Sequence, residues 1–167
     1  MLSLYIKLLE GERGTVTGKK VMPRLNDNIR CGNSLIGMDI YQQMELFDNG
    51  RRLRPFHWES ESKGFGAILK AGGFDAVIGN PPYLFITELS ETEKRYFFER
   101  YKTSEYRFDV YGLFTELALS RLVKRGGYLG FIVPRTLLSN DSFEKLRKFI
   151  LEHTRLKTVV DIGPGVF

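Results

Sequence analysis

The sequence predicts an α/β fold built on a mostly parallel sheet with helices on both faces. Three observations carry this. Apolar runs of strand length at Phe74–Gly79, 128–133 and 156–162 alternate with stretches of helical period at 90–101, 110–124 and 141–152. Glycine or proline stands at the junctions, at Gly79, Gly126-Gly127 and Pro134. The run 128–133, "YLGFIV", is apolar almost throughout, as a strand buried on both faces is.

The elements follow in order. Residues 2–10 have helix-like apolar spacing that stops at Gly11, and 11–20 read as a loop rich in glycine and charge. The short apolar piece 29–31 is a candidate strand closing on Gly32-Asn33-Ser34. Residues 37–73 mix periods. They hold turn formers at Asn49-Gly50, Gly64 and Gly66 and the basic cluster Arg51-Arg52-Leu53-Arg54, which reads as an insertion of loops and short helices. Phe74–Gly79 is a strand. Ser90 caps the next helix, and Glu93 completes a capping box. The helix over 110–124 carries Val110, Leu113, Phe114, Leu117, Leu122 and Val123 as its apolar residues, and Gly126-Gly127 ends it. Pro134 stops the strand at 128–133. Asp141 or Asn140 caps the helix over 141–152, and 156–162 is a third strand.

The totals narrow the function classes. A chain of 167 residues fits one domain, and 43% apolar with 27% charged residues is enough for a core. The net charge of +5 and pI of about 9.3 mildly favour a polyanionic partner. One cysteine, Cys31, excludes an internal disulfide framework and suits the reducing cytoplasm. No apolar run approaches the ~20 residues of a membrane span, and "MLSLYIKLLE" carries no cleavage-like site. There is no Cys/His cluster for a metal. His57 and His153 lie too far apart in sequence to suggest a His-based triad.

The stretch that carries chemistry is "FDAVIGNPPY", residues 74–83. A strand climbs to Gly79 and stops on Asn80-Pro81-Pro82-Tyr83. Ligands of parallel sheets bind beyond the carboxyl ends of the strands. Pro134-Arg135 and residues 163–167 follow other strand ends and share that rim. Asn80 brings a carbonyl acceptor. The Pro81 carbonyl is a second, because Pro82 has no N–H and stiffens the segment. Two fixed acceptors match the two donors of an NH2 group, and Tyr83 adds a ring face for stacking. The target is an amino group on a flat conjugated ring, such as adenine, or a primary amide. Gripping the amine hydrogens favours pyramidal nitrogen and stabilises positive charge developing there. No strong base is needed first. The bland reading is a strand-ending turn with a packed tyrosine.

These residues resemble a known family. "FDAVIGNPPY" looks like the catalytic motif of amino-group methyltransferases that use S-adenosylmethionine. Residues 109–138, "DVYGLFTELALSRLVKRGGYLGFIVPRTLL", resemble the segment that follows it in N6-adenine DNA methyltransferases, and "IRCGNSLIG", residues 29–37, resembles an upstream strand end that reaches the cofactor. The combination is most similar to the methylase region of combined type II restriction–modification enzymes. The resemblance implies a partial Rossmann-like methyltransferase sheet acting on double-stranded DNA, within a restriction–modification system. Asn80, Pro81 and Pro82 would form the catalytic turn, with Tyr83 stacked on a flipped adenine and Phe167 closing its other face. Phe114 would lie against the cofactor's adenine, a place compatible with a core aromatic. Asn33 either meets that adenine's amino group or is a turn asparagine.

Flipping is needed because N6 is buried in a paired stack. The interleaved cations and aromatics of "KRYFFERYKTSEYRF", residues 94–108, suit either a nucleic-acid groove or an amphipathic helix. Lys94, Arg95, Arg51, Arg54 and Arg135 are the candidate DNA contacts. The family's glycine-rich cofactor turn is not found upstream of Asn33, and neither a target-recognition domain nor a nuclease motif is found. "TVVDIGPGVF", residues 158–167, resembles such a turn in a permuted order, but it also fits a later strand of the catalytic half. The expectation is a single-domain catalytic half, inactive or weakly active alone, with an insertion at 37–73. It would leave a sheet edge open to a second copy or to a rearranged N-terminal segment. The alternatives are a protein glutamine-amide methyltransferase and a non-catalytic DNA-binding remnant.

Overall fold

A computed structural model describes residues 28–43, 53–104 and 108–163. By contacts the chain divides into two units, Met1–Cys31 and Gly32–Phe167. The architecture described here is that of the larger unit. The helix expected over 2–10, the loop over 11–20, Arg51 and Phe167 all lie outside the described residues.

The larger unit is α/β. Two short helices, α1 (Ile40–Gln43) and α2 (Gly66–Lys70), occupy the region read as an insertion. Strand β1 (Phe74–Gly79) follows, then α3 (Glu91–Arg100), α4 (Val110–Leu117), strand β2 (Val123–Phe131) and α5 (Glu144–His153). Strands β1 and β2 pair in parallel, Val77 opposite Leu129 and Gly79 opposite Phe131. The two helices between them complete the crossover that a parallel pair requires.

Local sequence explains the helix starts. Ser90 accepts the Glu93 N–H (3.2 Å) while the Glu93 carboxylate accepts the Ser90 N–H (3.0 Å), the expected capping box. Of the two candidate caps for the last helix, Asn140 accepts the Ser142 N–H (2.9 Å); a 3-10 turn (Asp141–Phe143) then leads into α5.

Three expectations need correction. The helix expected to reach Lys124 ends earlier. Its last turn widens into a π-helix (Ala118–Leu122), and β2 begins at Val123 rather than 128. The cause is pairing: Phe74 takes Val123 as its partner and Ala76 takes Tyr128. Gly126-Gly127 therefore lies in a bulge of the strand, with Gly126 at φ +80°. Residues 29–31 form no strand. Asn33 instead makes a single parallel bridge with Pro55. Residues 156–162 join no strand among the described residues, and their apolar side chains Leu156, Val159, Val160 and Ile162 are 51–73% exposed. A strand needs a neighbour's backbone, and none of the described residues supplies it here.

The main core joins Leu35, Ile36 and Ile40 to Tyr96, Phe97 and Tyr101 of the α3 region and to Val110, Leu113 and Leu117 of α4. Burying each such side chain stabilises by roughly 1.5–3 kcal/mol. Polar ties fix its edges. The Tyr96 hydroxyl accepts the Gly37 N–H and donates to Asp39, both at 2.9 Å. Tyr101 donates to the Leu35 carbonyl (2.8 Å). The buried Glu116 carboxylate accepts the Lys102 and Thr103 N–H groups. A second cluster, Tyr111, Phe143 and Leu146, packs α5 against the start of α4. On the sheet, Phe74 and Val77 face the main core. Ala76, Ile78 and Tyr128 face outward, Ile78 being 84% and Tyr128 66% exposed. Parallel sheets are usually covered on both faces. No helix among the described residues is long and apolar enough to cross a membrane.

Candidate functional site

The site begins where β1 ends. The Ile132 N–H donates to the Gly79 carbonyl (3.1 Å), carrying the parallel pairing one step beyond β2 and fixing the two strand ends side by side. Asn80 leaves from this point. Pro81 is buried, while Asn80, Pro82 and Tyr83 are exposed. The two prolines give the turn its rigidity.

Tyr83 folds back onto Asn80. Its hydroxyl donates to Asn80 Oδ1 at 2.8 Å and faces the Ile132 carbonyl at 3.3 Å. One hydroxyl proton thus stands between two acceptors, and the nearer is the carboxamide. In the free chain, one lone pair of the Asn80 oxygen is already engaged. The Tyr83 ring remains 41% exposed.

The chain beyond Tyr83 ties the site to α4. Val110 N–H donates to the Leu84 carbonyl (2.9 Å) and Ile86 N–H to the Phe108 carbonyl (3.3 Å), around an antiparallel bridge between Phe85 and Asp109. This brings Tyr111, in the first turn of α4, against Tyr83. The rings meet edge to face, with centroids 6.4 Å apart and planes at 88°. Phe143 packs on Tyr111 at 5.5 Å. Tyr111 is wholly buried, and burial raises its phenol pKa. Its hydroxyl completes no hydrogen bond among the described residues; Thr136 is placed to interact with it, but outside the geometry of a formed bond. Asp109 is also buried, and loss of hydration pushes its carboxyl above the usual range.

The structure brings Asn80, Pro81, Pro82 and Tyr83 together at one strand end. Asn33 stands at the bridge to Pro55. Its N–H donates to the Arg54 carbonyl (2.7 Å), and its side-chain oxygen accepts the Leu35 N–H (3.2 Å), the geometry of a turn asparagine. Phe114 is half-buried on α4 against the main core. Lys94 pairs with Glu91 (2.7 Å) and Arg135 with Asp161 (3.3 Å). Arg95 and Arg54 are exposed, Arg54 at φ +44°. Among the aromatics of 94–108, Tyr96, Phe97, Tyr101 and Phe108 are core residues. Among the described residues no group of His, Cys, Asp and Glu is arranged to hold a metal. Sequence reasoning passed over Tyr111 and the Ile132 carbonyl. Tyr111 lies in the apolar stretch of α4, where spacing alone marks it only as one more core aromatic.

Comparison with known proteins adds the family context. The Eco57I restriction-modification methylase family matches residues 1–167. The type II restriction enzyme and methyltransferase RM.Eco57I of Escherichia coli is 34% identical over 166 residues, 96% of this chain and 15% of that protein. The type II methyltransferase M.TthHB8I of Thermus thermophilus is 35% identical over 101 residues, 55% of this chain and 23% of that protein. The type II methyltransferase M.PaeR7I of Pseudomonas aeruginosa is 36% identical over 105 residues, 63% of this chain and 18% of that protein. The chain thus spans less than a quarter of each of these relatives.

Proposed function

Because the chain belongs to the Eco57I restriction-modification methylase family, we propose that it is the catalytic segment of a DNA methyltransferase acting on adenine N6. The observation that carries this reading is the pairing of a carboxamide acceptor with a half-exposed aromatic ring at the carboxyl end of a parallel strand, Asn80 beside Tyr83.

The chain's own residues have definable tasks. Asn80 Oδ1 accepts one N6–H of a flipped adenine and the Pro81 carbonyl accepts the other. Tyr83 stacks on the base and excludes water from one of its faces. The two acceptors stabilise positive charge as it grows on N6, and the proton finally lost from N6 passes to solvent. When bound, S-adenosylmethionine supplies the electrophilic methyl group. The described residues fit that group in part. Phe114 offers a half-buried ring for its adenine, and the Asn33 oxygen, which accepts the Leu35 N–H at 3.2 Å, keeps a second lone pair for the adenine amine. Arg54, Arg95 and Arg135, all exposed, are candidates for phosphate contact. The outward face of Ala76, Ile78 and Tyr128, and a sheet edge that no strand among the described residues pairs with, favour a homodimer of the isolated chain.

The test is methyl incorporation from S-adenosylmethionine labelled in its methyl group. Adenine-rich genomic duplex is compared with a glutamine-containing peptide, for the chain and for Asn80→Ala, each with the cofactor-binding half of a family methyltransferase supplied. Label appearing as N6-methyladenine and lost in Asn80→Ala is the expected result. Label in the peptide alone assigns the glutamine chemistry instead, and label in neither refutes the methyltransferase reading.

A further inference from the structure

We propose that Tyr111 is a positioning residue that fixes the plane of Tyr83 for stacking, an inference that rests on the base-stacking reading of Tyr83. Among the described residues Tyr111 is the one ring in contact with Tyr83. The Tyr83 hydroxyl faces two acceptors, and because the oxygen lies on the Cβ–ring axis these bonds do not stop the ring from turning about that axis. Tyr111 supplies the stop. Planes at 88° are a favoured aromatic arrangement, and a neighbour set edge to face covers at most one face of Tyr83, which remains 41% exposed.

The stop itself is fixed. Tyr111 has no exposed surface. Phe143 backs it. The start of α4 is pinned to residues 84–86 by two backbone hydrogen bonds, so Tyr111 and Tyr83 are held by the same short ladder. Gly112, the next residue, lets α5 approach so closely that a Cβ there would stand 3.1 Å from Leu146. The helix carrying Tyr111 is therefore clamped between the Tyr83 segment and α5. Its ring provides the contact with Tyr83. Its hydroxyl completes no hydrogen bond among the described residues, so a phenyl ring should serve as well.

The experiment reads Tyr83 directly. The full chain is produced with isotope-labelled tyrosine rings, as wild type, Tyr111→Phe, Tyr111→Met and Phe143→Leu, the Tyr83 signals being assigned from Tyr83→Phe. Ring shifts are recorded in the free chain and during titration with 2′-deoxyadenosine. Tyr111→Phe is expected to keep the Tyr83 shifts and the nucleoside affinity. Tyr111→Met, similar in size and adaptable, is expected to move Tyr83 toward solvent-exposed values and to weaken binding by about twofold to tenfold, the range for loss of one aromatic pair. If Tyr111→Met does not fold, Phe143→Leu is the milder perturbation and moves Tyr83 in the same direction. Wild-type affinity for 2′-deoxyadenosine in Tyr111→Met, or in Phe143→Leu where that variant stands in, overturns the proposal. Shifts that depend on Tyr111 while no form binds deoxyadenosine leave the positioning intact and refute the base-stacking reading.

Discussion

Tyr83→Phe separates the two contributions of this tyrosine. The substitution removes the hydroxyl that engages Asn80 Oδ1 at 2.8 Å and keeps the ring against Tyr111. A net hydrogen bond contributes about 0.5–1.5 kcal/mol, and one this exposed belongs at the low end. An incoming amine no longer has to compete for the Asn80 oxygen. Taking about 0.5–1 kcal/mol for that competition, 2′-deoxyadenosine should bind Tyr83→Phe about twofold to fivefold more tightly than wild type. The same loss lowers the thermal midpoint by roughly 1–4 °C for a chain of this size. Tyr83→Ala removes the stacking surface, for which about 1–3 kcal/mol per base is typical, and should weaken binding at least fivefold. Titration by NMR or calorimetry measures all three forms. If Tyr83→Phe binds as weakly as Tyr83→Ala, the hydroxyl is orienting the carboxamide for the amine rather than occupying its acceptor.

Other consequences follow from named contacts. Gly127→Ala places a Cβ 2.8 Å from the Asp75 carbonyl and should cost about 1–3 kcal/mol, whereas at Gly126 there is open space and only the φ of +80° resists, at about 1–2 kcal/mol; urea unfolding compares them. Ser90→Ala removes the α3 cap and should cost about 1 kcal/mol, with Ser90→Gly milder, by the same assay. Burial raises the Asp109 carboxyl above its ordinary 3.8, so the folded chain binds that proton more tightly than the unfolded one. The stability this contributes is fully present below pH 3.8 and lost as pH rises through the folded-state value. Asp109→Asn should therefore gain on wild type in unfolding free energy between acid and neutral pH, and an equal difference at both pH values would contradict the assignment.

The elements legible in the sequence were those set by local signals. Ser90 with Glu93 defined a helix start, Asn140 another, and the run from Phe74 ended at Gly79 because Asn-Pro-Pro cannot continue a strand. The β2 boundary was not legible, because glycines after a helical period read as a terminator and only the pairing of Phe74 with Val123 turns them into a bulge. Residues 156–162 have a strand's composition but lack a described neighbour to pair with, and a propensity cannot supply one. The site divides in the same way. Asn80 through Tyr83 are contiguous, so their acceptors and ring can be read together from the sequence. Tyr111 reaches Tyr83 only through the ladder between residues 84–86 and 108–110, a contact that no spacing rule within α4 reveals.

The central claim is that Asn80 and Pro81 form an acceptor site for an exocyclic amine. The most direct measurement is an NMR titration of the chain with 2′-deoxyadenosine and, separately, with 2′-deoxyinosine, observing the Asn80 side-chain amide and the Tyr83 ring. Inosine has the same ring system with a carbonyl where adenine has the amine. The expected result is that deoxyadenosine shifts both signals saturably while deoxyinosine moves the Tyr83 ring weakly and leaves the Asn80 amide unmoved. Equal responses to the two nucleosides, or none to deoxyadenosine, would contradict amine recognition at this strand end.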